Sequence, residues 1–243
     1  MTAQLVLQAG GATDVGKRRT HNEDAVLVRE DLNLYLVADG AGGHNAGEVA
    51  SALCARSIAN YFGATIRSTH QSPEFDRFGI PHGARRLSAA VLKANRDIVE
   101  ISRSSQAHRG MGTTVVAACF SPRSGLMHVA HVGDSRCYRL RGGHLELLTK
   151  DHSLLTDVIE QRPELDDQVL ARLPKNVVTR ALGMDGQLRV SMRSYTVVEG
   201  DRYLLCSDGL SGPVPAPEIA ATLGRDETPQ QIARRLTEQA NAA

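Results

Sequence analysis

The sequence predicts an α+β domain whose strands and helices lie in separate blocks. Short apolar runs recur along most of the chain, and several are joined by Gly- or Pro-containing turns. Two longer amphipathic stretches separate the first runs from the later ones. Three of the runs close on an aspartate followed by a very small residue, Asp39-Gly40, Asp134-Ser135 and Asp208-Gly209. Strand-like runs rich in Val, Leu, Tyr and Thr cover residues 5–13, 25–28, 32–38, 113–120, 126–132, 136–140, 145–149, 189–197 and 202–207. Ser121-Pro122-Arg123-Ser124-Gly125 and Gly142-Gly143 join neighbours among them, which predicts antiparallel hairpins.

The first helix is predicted over 46–62, with Val49, Leu53, Cys54, Ile58 and Phe62 on one side. The second spans 84–102, with Leu87, Val91, Ala94, Ile98 and Ile101 at spacings of four and three. Both stripes are expected to face the core. A last helix opens at Thr228-Pro229-Gln230-Gln231, a capping-box pattern with proline at the first helical position. Residues 69–83, with Pro73, Pro81 and two glycines, predict a surface loop, and 151–175 a helical or irregular insertion. Blocks of strands and blocks of helices argue against alternating βαβ units.

At 243 residues and 42% hydrophobic content the chain is long enough for one large core. A formal net charge of +1 supplies no global attraction to nucleic acid or to anionic membranes, and neither is expected as a partner. No apolar run approaches the roughly 18 residues of a membrane span. The start lacks the charged and apolar regions of a signal peptide. Cys54, Cys119, Cys137 and Cys206 sit inside apolar runs without a Cys-x-x-Cys pair, so buried reduced thiols and a cytoplasmic location are expected.

The aspartates carry the chemistry. A carboxylate at a strand end, beside a residue small enough to admit close approach, suits a hard cation. One Asp-Gly after a strand is an ordinary turn; three such units predict an oxygen-rich site for Mg2+ or Mn2+. Arg19-Thr20-His21-Asn22-Glu23-Asp24 adds a guanidinium, whose planar fork suits phosphate, to two carboxylates that could bind a metal or hold its waters. Taken alone, that segment reads first as a solvated turn; beside the Asp39-Gly40 unit it gains weight as part of a site.

Rival motifs fail on their own residues. Residues 11–17 fit the first seven positions of a P-loop, but Arg18 stands where the Mg2+-binding Ser or Thr belongs, and no apolar helical stripe follows. His128 and His131 are three apart in a strand and so face opposite sides, which argues against a zinc pair.

From residue 10 almost to its end the chain resembles the metal-dependent protein phosphatases of the 2C type, the PPM family. The resemblance rests on Gly16 to Asp24, Val37 to Glu48, Gly110-Met111-Gly112-Thr113-Thr114, His131 to Arg136 and Leu205 to Leu210, in that order. It implies a single domain over 1–243, an αββα four-layer sandwich of two antiparallel sheets flanked by helices, with a flap-like insertion at 150–175. It implies that Asp39 bridges two divalent ions, that Gly40 offers its carbonyl, and that Asp208 ligates one of the pair. Glu23 and Asp24 would act through metal-bound waters, Asp134 would hold a third, looser ion, and Arg19 would grip the substrate phosphate. The implied activity is hydrolysis of phosphoserine and phosphothreonine in proteins, a Ser/Thr protein kinase among them.

Phosphate-monoester hydrolysis is among the slowest uncatalysed reactions, and acceleration can reach about 10²¹-fold. A lone general base contributes only about 10²- to 10⁴-fold, whereas two metals supply both nucleophile and charge screening. Two departures from the family pattern stand out. Some members carry a histidine after the metal Asp-Gly as leaving-group acid; here that position is Ala41, leaving metal-bound water or His44 as candidates. The family's last helix leads into Gly-x-Asp-Asn and a final strand, and the sequence stops at Ala240-Asn241-Ala242-Ala243. The expectation is one ligand and at least one strand missing. The alternative reading is a catalytically impaired phosphatase-like binding or regulatory protein.

Overall fold

The structure, a computed structural model, describes residues 5–17, 19–42, 46–174, 177–184 and 187–243; the side chains of residues 67–70 and 167 lie outside that description. In chain order the elements are β1 (Asp24–Arg29), β2 (Leu34–Ala41), α1 (Ala46–Gln71), α2 (His82–Ser104), β3 (Gly112–Thr113), β4 (Val115–Ser121), β5 (Leu126–Val132), β6 (Arg136–Arg141) and β7 (His144–Leu147). They continue with α3 (Leu154–Gln161), α4 (Asp167–Leu170), β8 (Ser191–Thr196), β9 (Arg202–Cys206), α5 (Asp208–Ser211), α6 (Ala216–Leu223) and α7 (Pro229–Ala242). The larger sheet runs β1-β2-β4-β5-β8 with β3 paired to β2, and the smaller runs β7-β6-β9. Every pairing is antiparallel.

Side-chain alternation along the central strands sorts residues between two cores. On β4, Val115, Ala117 and Cys119 turn toward α1 and α2, where they meet Ile58, Phe62, Leu87, Val91 and Ile98. Val116, Ala118 and Phe120 turn the other way and meet Cys137, Leu148 and Val197 between the sheets. A third core packs Leu140 and Leu204 of the smaller sheet against Val214, Ile219, Ile232 and Leu236. The layers are therefore helix, sheet, sheet, helix, the expected αββα order. His128 and His131 fall on opposite faces of β5. His128 bonds Ser121 and Ser194, and His131 bonds the Lys150 carbonyl.

Three local expectations need correction. Residues 5–13 form no strand. Among the described residues they pair with neither sheet, and Gly11 instead exchanges hydrogen bonds with the Gln230 side chain (3.2 and 2.9 Å). Helix α1 runs on to Gln71, past the predicted end at 62 and into the predicted loop. Its apolar stripe continues one turn past Phe62 to Ile66, which is half-buried against the same core, and Gly63 is accommodated within the helix. Helix α6 was not foreseen; it is short and opens after Pro215. The capping box of α7 forms as expected, with the Thr228 side chain accepting from Gln231 N–H and the Gln231 side chain accepting from Thr228 N–H.

At the end of β2 the backbone of α1 comes into direct contact. A Cβ on Gly40 would lie 2.1 Å from the Gly47 carbonyl oxygen and 2.7 Å from that of Glu23, and a Cβ on Gly47 would lie 2.7 Å from the Glu23 carboxylate. Backbone cannot yield as a side-chain tip can, so Gly40→Ala should destabilise the fold by about 1–3 kcal/mol or more. A thermal melt of the metal-free protein measures this; an unchanged midpoint would mean that β2 and α1 are not in contact.

Candidate metal centre

Strand pairing assembles the site. Asp24 opens β1 and Asp39 stands near the end of β2, and the antiparallel register puts them directly opposite one another. Asp208 begins α5 immediately after β9, and Asp134 lies in the loop between β5 and β6. Asp24, Asp39 and Asp208 line one cavity of about 650 Å3 between the edges of the two sheets, with Glu23 and Arg19 at the same opening. Gly40 donates its N–H to the Glu23 carbonyl at 3.0 Å, which fixes the Asp39-Gly40 turn against the Glu23-Asp24 segment.

The carboxyls oppose one another electrostatically. Burial, then the charges of Asp24 and Asp208, push the Asp39 carboxyl up to about 9. Burial raises Asp24 as well, partly offset by hydrogen bonds from Ser207 and Asp39. Burial, then the Asp208 charge, raises Asp134. Asp39, Asp24 and Asp134 are all held back from ionising, and a divalent cation is the kind of counter-charge that would relieve them. Among the described residues no three His, Cys, Asp or Glu side chains form a finished ligand cage. Glu23, Asp24, Asp39 and Asp208 line the cavity without closing into a cage, which suits hydrated hard cations that keep several waters. The donor set of Asp39, Asp208 and the Gly40 carbonyl is all oxygen, as Mn2+ or Mg2+ prefers.

Arg19 is 73% exposed and holds the Glu23 carboxylate at 2.9 Å. It therefore stands at the rim with its guanidinium in solvent. His44 lies outside the described residues. Ala41 follows the Asp39-Gly40 turn and carries no acid.

Several supporting residues were not foreseen. Ser207 donates its hydroxyl to Asp24 at 2.8 Å, joining β9 to β1 at the site. Thr113 donates to the Asp39 carbonyl from its hydroxyl (2.9 Å), and Thr114 donates from its backbone N–H (2.8 Å). The Thr114 hydroxyl accepts the Asp39 N–H at 3.3 Å and bonds Ser135 at 2.7 Å. Thr113 and Thr114 stand in a quoted motif and Ser207 directly precedes Asp208, so adjacency to the motifs was the only available signal.

The chain is similar in sequence and in fold to known proteins. The family model for protein phosphatase 2C matches residues 15–242. The serine/threonine phosphatase stp of Listeria monocytogenes serotype 4b is 34% identical over 233 residues, covering 95% of this chain and 88% of that protein. The crystal structure of the Mycobacterium tuberculosis serine/threonine phosphatase PstP/Ppp superposes with a TM-score of 0.77 at 34% identity, covering 94% of this chain and 89% of that one. The catalytic domain of PstP in complex with two manganese ions superposes with a TM-score of 0.75 at 33% identity, covering 94% and 89%. Matched along nearly its whole length in sequence and in fold, the chain belongs to the protein phosphatase 2C family.

Proposed function

We propose that the chain is a metal-dependent protein serine/threonine phosphatase in which Asp39, the Gly40 carbonyl and Asp208 hold a pair of Mn2+ or Mg2+ ions. Glu23 and Asp24 reach those ions through water, and Asp134 takes a third, looser one. The observation that carries this reading is the meeting of Asp24, Asp39, Asp134 and Asp208, whose charges oppose each other, beside the exposed guanidinium of Arg19. When bound, such ions lower the pKa of coordinated water toward 7 and screen the phosphoryl oxygens.

The chain's own residues supply the rest. Arg19 offers a planar fork to the non-bridging phosphate oxygens, exchanging its Glu23 partner for the substrate. Ser207 orients the Asp24 carboxylate toward the cavity. No cysteine competes as nucleophile: all four are buried, and burial pushes Cys206, the thiol nearest the site, up to about 12. Attack by water is the remaining route. Substrates are phosphoserine and phosphothreonine proteins, including a Ser/Thr protein kinase. The reduced, buried cysteines favour the cytoplasm, and among the described residues no helix is long and apolar enough to cross a membrane.

Asp39→Asn should abolish Mn2+-dependent hydrolysis of p-nitrophenyl phosphate while raising the metal-free melting temperature, because it removes a buried carboxyl that folding must otherwise protonate. Retention of more than about a tenth of the parent activity, some 1.4 kcal/mol of barrier, would overturn the ligand assignment.

Arg19→Ala should leave the metal requirement unchanged, raise KM and weaken inhibition by inorganic phosphate, since it removes a contact to the non-reacting oxygens. Identical KM and phosphate inhibition in parent and variant would reduce this arginine to a solvated turn residue.

Stability of the metal-free chain should depend on pH in a definite direction. The folded-state value for Asp39, about 9, lies above its unfolded value, so the folded state binds the proton more tightly. That contribution is complete below about 4, the unfolded carboxylate range, and is lost as pH rises toward the folded value. In EDTA the melting temperature should fall from pH 5 to pH 9, and saturating Mn2+ should flatten or reverse the slope. A metal-free melting temperature that climbs over this range contradicts the charge-crowded site.

A further inference from the structure

The loop Gly133-Asp134-Ser135, with Arg136 at the start of β6 behind it, is held at both ends by two consecutive residues, Asp151 and His152, that lie 15 to 19 positions away in sequence. The main-chain N–H of His152 donates to the Gly133 carbonyl at 2.9 Å, and the Gly133 N–H donates back to His152 Nδ1 at 3.0 Å. At the other end, Arg136 donates from Nε (3.0 Å) and Nη2 (2.7 Å) to the two oxygens of Asp151. Between these anchors Ser135 bonds Thr114 at 2.7 Å. Gly133 has φ of +107°, and a Cβ there would lie 2.6 Å from the Thr114 side chain. The backbone is thus held on both sides of Asp134, whose carboxyl feels the charges of Asp208 and Asp39.

The tautomer of His152 follows from its partners. Nδ1 accepts an N–H and so carries no proton; the proton sits on Nε2, 2.9 Å from Ser191 Oγ. The ring is buried, at 6% exposure, and stacks on His131 with centroids 4.7 Å apart and planes 9° apart. His131 is itself fixed by its bond to the Lys150 carbonyl at 2.7 Å. A ring held by two hydrogen bonds and a stacking partner has one orientation, and that orientation presents its Nδ1 lone pair to the Gly133 N–H.

The geometry points to His152 as a positioning residue for Asp134. It touches neither substrate nor metal; its Nδ1 holds the loop backbone so that the Asp134 carboxylate is aimed at the cluster before any ion arrives. The inference rests on the reading of Asp134 as ligand of the looser ion. Its chemistry is that of a support behind a metal ligand, where loss of the supporting bond typically weakens metal by about 10- to 100-fold.

The test compares two substitutions that split the imidazole into its halves. His152→Asn keeps an acceptor at the δ position, within reach of the Gly133 N–H, whereas His152→Gln keeps a polar atom only at the ε position, toward Ser191. Mn2+ binding to the full chain is followed by calorimetric titration and by electron paramagnetic resonance of free Mn2+, with Asp134→Asn as reference. His152→Gln should weaken the looser class of sites about 10- to 100-fold and leave the tighter class unchanged. His152→Asn should restore most of the parent isotherm. In an Asp134→Asn background neither substitution should change binding further. A parent isotherm for His152→Gln, or equal weakening of both classes in both variants, overturns the positioning role. If Asp134→Asn itself leaves the parent isotherm intact, Asp134 is no ligand, and the positioning role falls with that reading.

Discussion

Like charge gathered where strands end is the constraint on which the rest of this structure depends. Asp24 and Asp39 are opposed by strand register, and Asp208 arrives at the turn after β9. The ladder of backbone hydrogen bonds fixes the Cα positions of Asp24 and Asp39 as a cross-strand pair, which keeps both carboxyls on one face of the sheet. The fold therefore holds a standing electrostatic strain, relieved by a proton on Asp39 or by a cation. Glycine at 40 and 47 follows from the same constraint. The α1 backbone must press against the β2 turn to keep Glu23 and Asp39 together, and any side chain at either position would hold them apart.

The central sheet makes that tolerable. Its strands are apolar on both faces, one packed on α1 and α2 and the other on the smaller sheet. Two-sided burial fixes register, because a slip by one residue would exchange the two faces and invert every contact. Asp39 stands near the end of a strand gripped in this way, and the edge strands β1 and β9 that bring Asp24 and Asp208 are tied together beside it by the Ser207–Asp24 bond. The hydroxyls of Thr113, Thr114 and Ser207 then hold the site locally, each satisfying a backbone group or carboxylate at the point of convergence.

Much of this was legible from the residues. Asp39, Asp134 and Asp208 announce themselves because each closes an apolar run with a small residue beside it. The stripes from Val49 to Phe62 and from Leu87 to Ile101 have helical spacing and face the core. What the sequence concealed has a common physical cause: it depends on partners far away along the chain. Residues 5–13 have strand composition, but pairing requires an edge of matching register; Leu5 and Leu7 pack on the core between the sheets, and Gly10 and Gly11 lie against α7. The continuation of α1 to Gln71 is marked by a single further apolar contact, Ile66. Thr114, Ser207 and His152 are ordinary neutral residues whose roles come from bonds spanning 75, 183 and 19 residues respectively.

The bond between Ser207 and Asp24 joins residues 183 positions apart, and the contact of Gly11 with Gln230 spans 219. A chain emerging from a ribosome delivers β1 and β2 early and β9 only after most of the rest has been made. Until then Asp24 and Asp39 are a half-built pair without Asp208, and neither a firmly held cation nor the finished fold is available to the nascent chain. Closure of the longest loops comes last and is slow, since their entropy is lost before any contact rewards it. A cavity that takes Asp24 from one end of the chain and Asp208 from the other is complete only when most of the chain has been made.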